Sequence, residues 1–218
     1  MQPTRPVWRG PAPTDVLYRF LHLWVPPLLR LYWRLEVVGS PVPPGPAIVV
    51  SNHESLLDPF VLGAAIDRPL RYLAKRELWD SRLLGKAAES LGAIPVSRQR
   101  GDVGAVEAAS RAMDAGDTLI IFPQGTTLGP SDRLWQRGAA RLALTTGAPL
   151  VPVAIVGARK GLGPGMRLPR PARVRVVVGE PIRVAPGPVT IPAARELTAR
   201  VRAEVEALGG ASSPSNTR

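Results

Sequence analysis

The chain has 218 residues, 45% of them hydrophobic, which is enough to bury a core of its own and too apolar for a disordered polymer. Its 28 basic and 17 acidic residues give a formal charge of +11, nearly all from arginine since only Lys75, Lys86 and Lys160 are lysines, and such a field calls for an anionic partner, phospholipid or nucleic acid. The absence of cysteine excludes disulfides, thiol catalysis and thiolate-bound metal, and two histidines, His22 and His53, are too few for a histidine-rich metal centre.

Met1 to Pro13 is proline-rich and lacks the basic-then-apolar order of a signal peptide, so residues 1–14 read as a flexible N-terminus. In residues 15–39 the apolar side chains are interrupted by Arg19, His22, Arg30 and Pro26-Pro27, and no run reaches the roughly 20 residues that span a bilayer. A bent, basic helical segment lying in a membrane interface fits this pattern, with the bend at the prolines and Trp24 and Trp33 at headgroup level. A kinked helix packed on the domain's own core fits it as well.

From residue 35 the pattern alternates strand and helix. Leu35–Val38, Ala47–Val50, Arg71–Ala74, Ala93–Val96, Thr118–Phe122, Leu150–Val156 and Arg173–Val178 read as strands, with Pro95 favouring an edge or a strand end. Helices are expected over Pro59–Ala65, Glu77–Leu91, residues 103–115 closed by Gly116, Gln136–Thr146 closed by Gly147, and Ala193–Leu208. The expected fold is one α/β domain over residues 40–208, a central mostly parallel or mixed sheet flanked by helices, with a flexible tail at 209–218.

Asn52-His53-Glu54-Ser55-Leu56-Leu57-Asp58 follows one of these strands and leads into a helix, the position where α/β sheets keep their sites. A carboxylate held against one imidazole nitrogen fixes the tautomer so that the other can take a proton, and this one loop carries His53 and Asp58, the two halves such a dyad needs. The sequence offers no Gly-x-Ser-x-Gly elbow and no thiol, so the hydroxyl acted on would belong to a substrate, giving direct transfer without a covalent enzyme intermediate. The spacing alone also suits a plain His–Asp hydrogen bond near a helix N-terminus, with Ser55 or Asn52 as cap. Phe122-Pro123-Gln124-Gly125-Thr126-Thr127 forms a second loop at a strand end.

Together these blocks resemble the glycerolipid acyltransferases, a family that includes bacterial 1-acylglycerol-3-phosphate acyltransferases. Residues 52–58 resemble the family's Asn-His-x-Ser-x-x-Asp block, and Ala74-Lys75-Arg76-Glu77-Leu78 the stretch that follows it. Gly92 to Arg98 resembles the second block, ending in the substrate-site arginine. Residues 122–127 resemble Phe-Pro-Glu-Gly-Thr-Arg with two departures, Gln124 for glutamate and Thr127 for arginine. Val151-Pro152-Val153-Ala154-Ile155 resembles the fourth block, on the acyl-chain or donor side. The resemblance covers about residues 35 to 185 in matching order.

The resemblance implies that His53 activates the acceptor hydroxyl with Asp58 as partner, that acyl-CoA or acyl-carrier protein is the donor, and that no bound cofactor or metal takes part. It implies acceptor contacts from Arg98, Gln124, Gly125, Thr126, Thr127 and Lys75, with backbone N–H groups near Gly125 or a helix N-terminus as oxyanion donors. Lysophosphatidate is the expected acceptor. Because Gln124 loses a charge and Thr127 a five-donor fork, an unphosphorylated glycolipid or glycosylated pigment is the alternative. A catalytically silent membrane-binding relative would also carry an altered third block, and the intact dyad argues against it. The expected place is the cytoplasmic face of the cell membrane, peripheral or monotopic on anionic phospholipid. Nucleic acid is not expected, since the arginines are scattered with no aromatic ladder or zinc finger.

Overall fold

A computed structural model describes residues 27–90, 92–96, 103–125, 134–166 and 168–211. The organising element is β2 (Ala47–Ser51), in which every residue is buried. Ala47 and Val49 join one hydrophobic core while Ile48 and Val50 join the other, the double-faced burial that makes parallel strands continuously apolar. β5 (Thr118–Ile121) and β6 (Leu150–Val156) flank it, each in parallel register.

The sheet has seven strands in the order β1-β7-β6-β2-β5-β3-β4, adding β1 (Glu36–Gly39), β3 (Leu70–Lys75), β4 (Ala93–Val96) and β7 (Arg175–Val178). It is mixed. Only β6 and β7 pair antiparallel, and β4 with its Pro95 lies at an edge, as expected. α1 (Asp58–Ala65) and α2 (Arg82–Ser90) contribute Val61, Leu62 and Ala88 to one core; α3 (Val103–Asp114), α4 (Gly138–Thr146) and α6 (Ile191–Ala211) contribute Ala109, Leu142 and Val201 to the other. The short α5 (Ala158–Leu162) follows β6 through Gly157, whose φ of +91° and whose closeness to the Arg173 carbonyl leave no room for a side chain.

Several expectations are corrected. The single helix over 77–91 is broken into a 3-10 turn, Arg76–Asp80, and α2. The Trp79 indole N–H donates to Glu89 Oε1 at 3.1 Å, whereas ten residues of straight helix would rise about 15 Å. Trp79 also packs against Gly85, which a straight helix would place on a different face, so the chain must turn at Ser81. Of the segment 15–39, residues 27–32 are helical and 36–39 are a sheet strand beside β7; the Pro26-Pro27 bend reaches beyond the described residues. Trp33 is not at a surface but 3% exposed in the core, because its carbonyl accepts the Val174 N–H and draws the turn onto the sheet. The last helix continues to Ala211, past the expected end at 208, because Val205 and Leu208 pack on the β6–β7 core and Gly209 rests near Ala154.

Candidate active site

The loop after β2 closes on the carboxylate of Asp58, which is 1% exposed at the start of α1. Three donors converge on Asp58 Oδ2: Glu54 N–H at 2.8 Å, Ser55 N–H at 2.9 Å and His53 Nδ1 at 2.9 Å. A carboxylate at this point only accepts, so the imidazole hydrogen sits on Nδ1 and the lone pair is left on Nε2. The His53 side chain is 16% exposed, open enough for a substrate to reach that nitrogen.

The strand β6 and the helix α5 hold the loop from outside. The Asn52 side chain donates to Ile155 O at 2.9 Å and accepts Ile155 N–H at 2.8 Å, pairing with β6 as another strand residue would. Ser55 Oγ donates to Leu162 O at 2.7 Å and accepts Leu57 N–H at 3.0 Å, fixing the loop to α5. The Tyr72 hydroxyl donates to Pro59 O at 2.8 Å on the first turn of α1, and burial pushes it far above the ordinary phenol range, so it stays a donor.

The turn after β5 supplies the rest. Gly125 N–H donates to Phe122 O at 3.0 Å and Gly125 takes φ +71°, closing a tight turn over Pro123-Gln124. The Phe122 ring stacks on the His53 ring, centroids 4.2 Å apart and 20° between planes. Gln124 Oε1 accepts the backbone N–H of His53 at 2.5 Å. Beside this turn a cleft of about 350 Å³ opens between Asn52, Glu54, Gln124 and Trp135 on one side and Arg202 and Val205 of α6 on the other.

Of the residues expected in the site, His53, Asp58, Gln124 and Gly125 are brought together. Lys75 ends β3. Arg98, Thr126 and Thr127 lie outside the described residues, and so does the Lys75 side chain. Among the described residues Gly125 N–H bonds Phe122 O, and the amides of Glu54, Ser55, Leu57 and Asp58 bond Asp58 Oδ2, Ser55 Oγ or Ser55 O; the amides that follow Gly125 lie outside the described residues. Asn52, Ser55 and Phe122 were not read as positioning residues. Their partners lie 103, 107 and about 70 positions away, so spacing carried no sign of them.

Ser51 and Ser55, the hydroxyls that flank the dyad, are each 0% exposed. A histidine that keeps its Nε2 lone pair, beside a carboxylate on Nδ1 and with no accessible serine in its own loop, is an arrangement suited to general-base attack by a hydroxyl that a substrate brings. The acyltransferase family model matches residues 34–156, more than half of the chain, and the chain belongs to that family. It is similar to a chloroplastic 1-acyl-sn-glycerol-3-phosphate acyltransferase of Brassica napus, 26% identical over 171 residues that cover 73% of this chain and 48% of the relative. The Bacillus subtilis 1-acyl-sn-glycerol-3-phosphate acyltransferase is 28% identical over 139 residues, 63% of this chain and 67% of the relative. A lyso-ornithine lipid O-acyltransferase of Pseudomonas aeruginosa is 33% identical over 156 residues, 70% and 59%. The chain thus spans about half the length of some of the curated relatives it matches. Its fold is shared with the crystal structure of the 1-acyl-sn-glycerophosphate acyltransferase PlsC of Thermotoga maritima, at a TM-score of 0.65 and 24% identity, covering 87% of this chain and 82% of that one.

Proposed function

We propose that the protein is an O-acyltransferase that moves a fatty acyl group from acyl-CoA or acyl-carrier protein to the hydroxyl of 1-acylglycerol-3-phosphate, giving phosphatidate. The observation that carries this is the His53–Asp58 pair, with the hydrogen held on Nδ1 and Nε2 left as a base. His53 Nε2 takes the acceptor's hydroxyl proton as its oxygen bonds to the thioester carbonyl carbon. The carbon–sulfur bond then breaks, and the departing sulfur takes the proton back from Nε2. A thioester is already activated, so positioning and a base suffice, and the balance of ester and free thiol needs no cofactor. The glycerol-phosphate relatives support the acceptor.

A second acceptor reading has its own support. The Pseudomonas relative is named for a lyso-ornithine lipid, and this chain carries Gln124 and Thr127 where the family motif has charged residues. An acceptor panel for wild type and Arg98→Ala separates the two. If Arg98 reads the phosphate, its loss raises the apparent KM for lysophosphatidate about ten- to hundredfold, the size of one charge-assisted contact of roughly 1.5 to 3 kcal/mol. Acylation of a neutral or aminoacyl lipid but not lysophosphatidate, unchanged in Arg98→Ala, contradicts the phosphate reading and leaves the dyad mechanism standing.

The proposed acceptor's chemistry also supports a peripheral position at a membrane, on an anionic leaflet on the side where CoA and acyl-carrier protein reside. Among the described residues no helix is long and apolar enough to cross a membrane. Leu28, Leu31, Leu56, Phe60 and Leu168 are all exposed, Leu31 to 78%. They lie on three segments tied to one another, since Arg30 Nε donates to Ala64 O at 2.8 Å and Tyr32 Oη to Pro169 O at 3.1 Å. Such an apolar rim on a basic chain suits a lipid surface. Flotation with anionic vesicles is expected to recover the protein, with partial retention at high salt because salt screens only the charge component. Failure to float with either anionic or neutral vesicles contradicts this placement.

A further inference from the structure

We infer that Gln124 is a positioning residue for the base: its side-chain carbonyl holds the peptide of His53, and through it the imidazole, in register with Asp58. The inference rests on the acyl-transfer reading in which His53 is the base, and it gives Gln124 a task other than acceptor contact. A backbone N–H can only donate, so the Gln124 atom that meets His53 N must be Oε1, and chemistry fixes which way the amide points. Gln124 is 8% exposed, so this bond is shielded from competing water.

The turn that carries Gln124 is built to hold still. It is closed by the Gly125 to Phe122 hydrogen bond and anchored again where Gln136 N–H donates to Pro123 O at 2.9 Å. The same turn presents Phe122 to the face of the His53 ring. One four-residue turn therefore grips the base twice, by its ring and by its peptide, while Asn52 bolts the preceding residue to β6 and Asp58 takes Nδ1. Removing the Gln124 acceptor releases one restraint of four, so the domain stays folded and the base loses its alignment. The departure from the family motif also becomes intelligible: a glutamate offers the same acceptor oxygen to the same N–H, so glutamine and glutamate are equivalent for this task.

Two substitutions test it on the full-length chain in detergent micelles with acyl-CoA and lysophosphatidate. Gln124→Met keeps length but removes the acceptor; Gln124→Glu keeps an acceptor oxygen. Gln124→Met is expected to lower kcat about ten- to hundredfold with the acceptor KM within about twofold, and Gln124→Glu to return kcat to within about threefold, as for a base displaced by a fraction of an ångström to an ångström. The chain has two histidines, so nitrogen-15 imidazole spectra resolve His53 with His22 as internal control. Wild type is expected to show one His53 ring state protonated on Nδ1, and Gln124→Met to broaden or split it while His22 stays unchanged. Because the spectrum needs no substrate, it reads the positioning role even if lysophosphatidate proves to be the wrong acceptor. A raised acceptor KM at constant kcat, a Gln124→Glu enzyme as slow as Gln124→Met, unaltered His53 signals, or a Gln124→Met chain without a melting transition would each overturn the inference.

Discussion

Replacing His53 with alanine is expected to end acyl transfer while leaving the domain folded. Its ring lies at the end of β2, 16% exposed, packed on Phe122 and bonded to Asp58, outside the apolar clusters that hold the sheet to its helices. General-base catalysis contributes about 10²- to 10⁴-fold, and an alanine methyl has no lone pair to take the acceptor's proton. Product formation should fall to the level of donor and acceptor alone, with the melting temperature close to that of wild type. Equal product from wild type and His53→Ala would remove His53 from the mechanism.

Asp58→Asn separates charge from geometry. The amide oxygen can occupy the Oδ2 position and accept the same three donors, keeping the loop closed and His53 in its working tautomer. The amide nitrogen then falls where Oδ1 is buried with no hydrogen-bond partner among the described residues, and the opposite orientation would set NH₂ against two backbone N–H groups. In both orientations the negative charge that stabilises the imidazolium during transfer is gone, and kcat is expected to drop about 10²- to 10⁴-fold. Asp58→Ala should lose as much activity and, in addition, stability, because Glu54 N–H and Ser55 N–H are left unpaired at about 1–3 kcal/mol each. Urea unfolding beside kcat checks both. An Asp58→Asn enzyme with wild-type kcat would mean that the carboxylate serves the loop and not the reaction.

How much was legible beforehand follows the range of the interactions. β2, β5 and β6 announced themselves as short runs of β-branched and aliphatic residues, and the His53–Asp58 pair was readable because five positions of loop and helix start bring the two together. The antiparallel β6–β7 pair and the place of β1 at the far edge depend on partners more than a hundred residues away for β1, and local pattern does not encode them. Residues 77–91 looked like one helix because apolar spacing is blind to Trp79 folding back toward Glu89. The site shows the same division. The His53–Asp58 pair was found locally, whereas the clamps on it, Asn52 to Ile155, Ser55 to Leu162 and Gln124 to His53, are all long-range, and no local pattern ties Gln124 to His53.

The central claim is direct transfer from thioester to a lipid hydroxyl by the His53–Asp58 base. It is tested most directly by following free thiol and new ester together after mixing the purified chain with acyl-CoA and lysophosphatidate, with intact-protein mass recorded at the same times. The account predicts one acyl ester for each thiol released, no acylated protein at any time, and neither product above background with His53→Ala. Thiol release without ester, or an acyl mass on the protein that forms and decays with turnover, would contradict it.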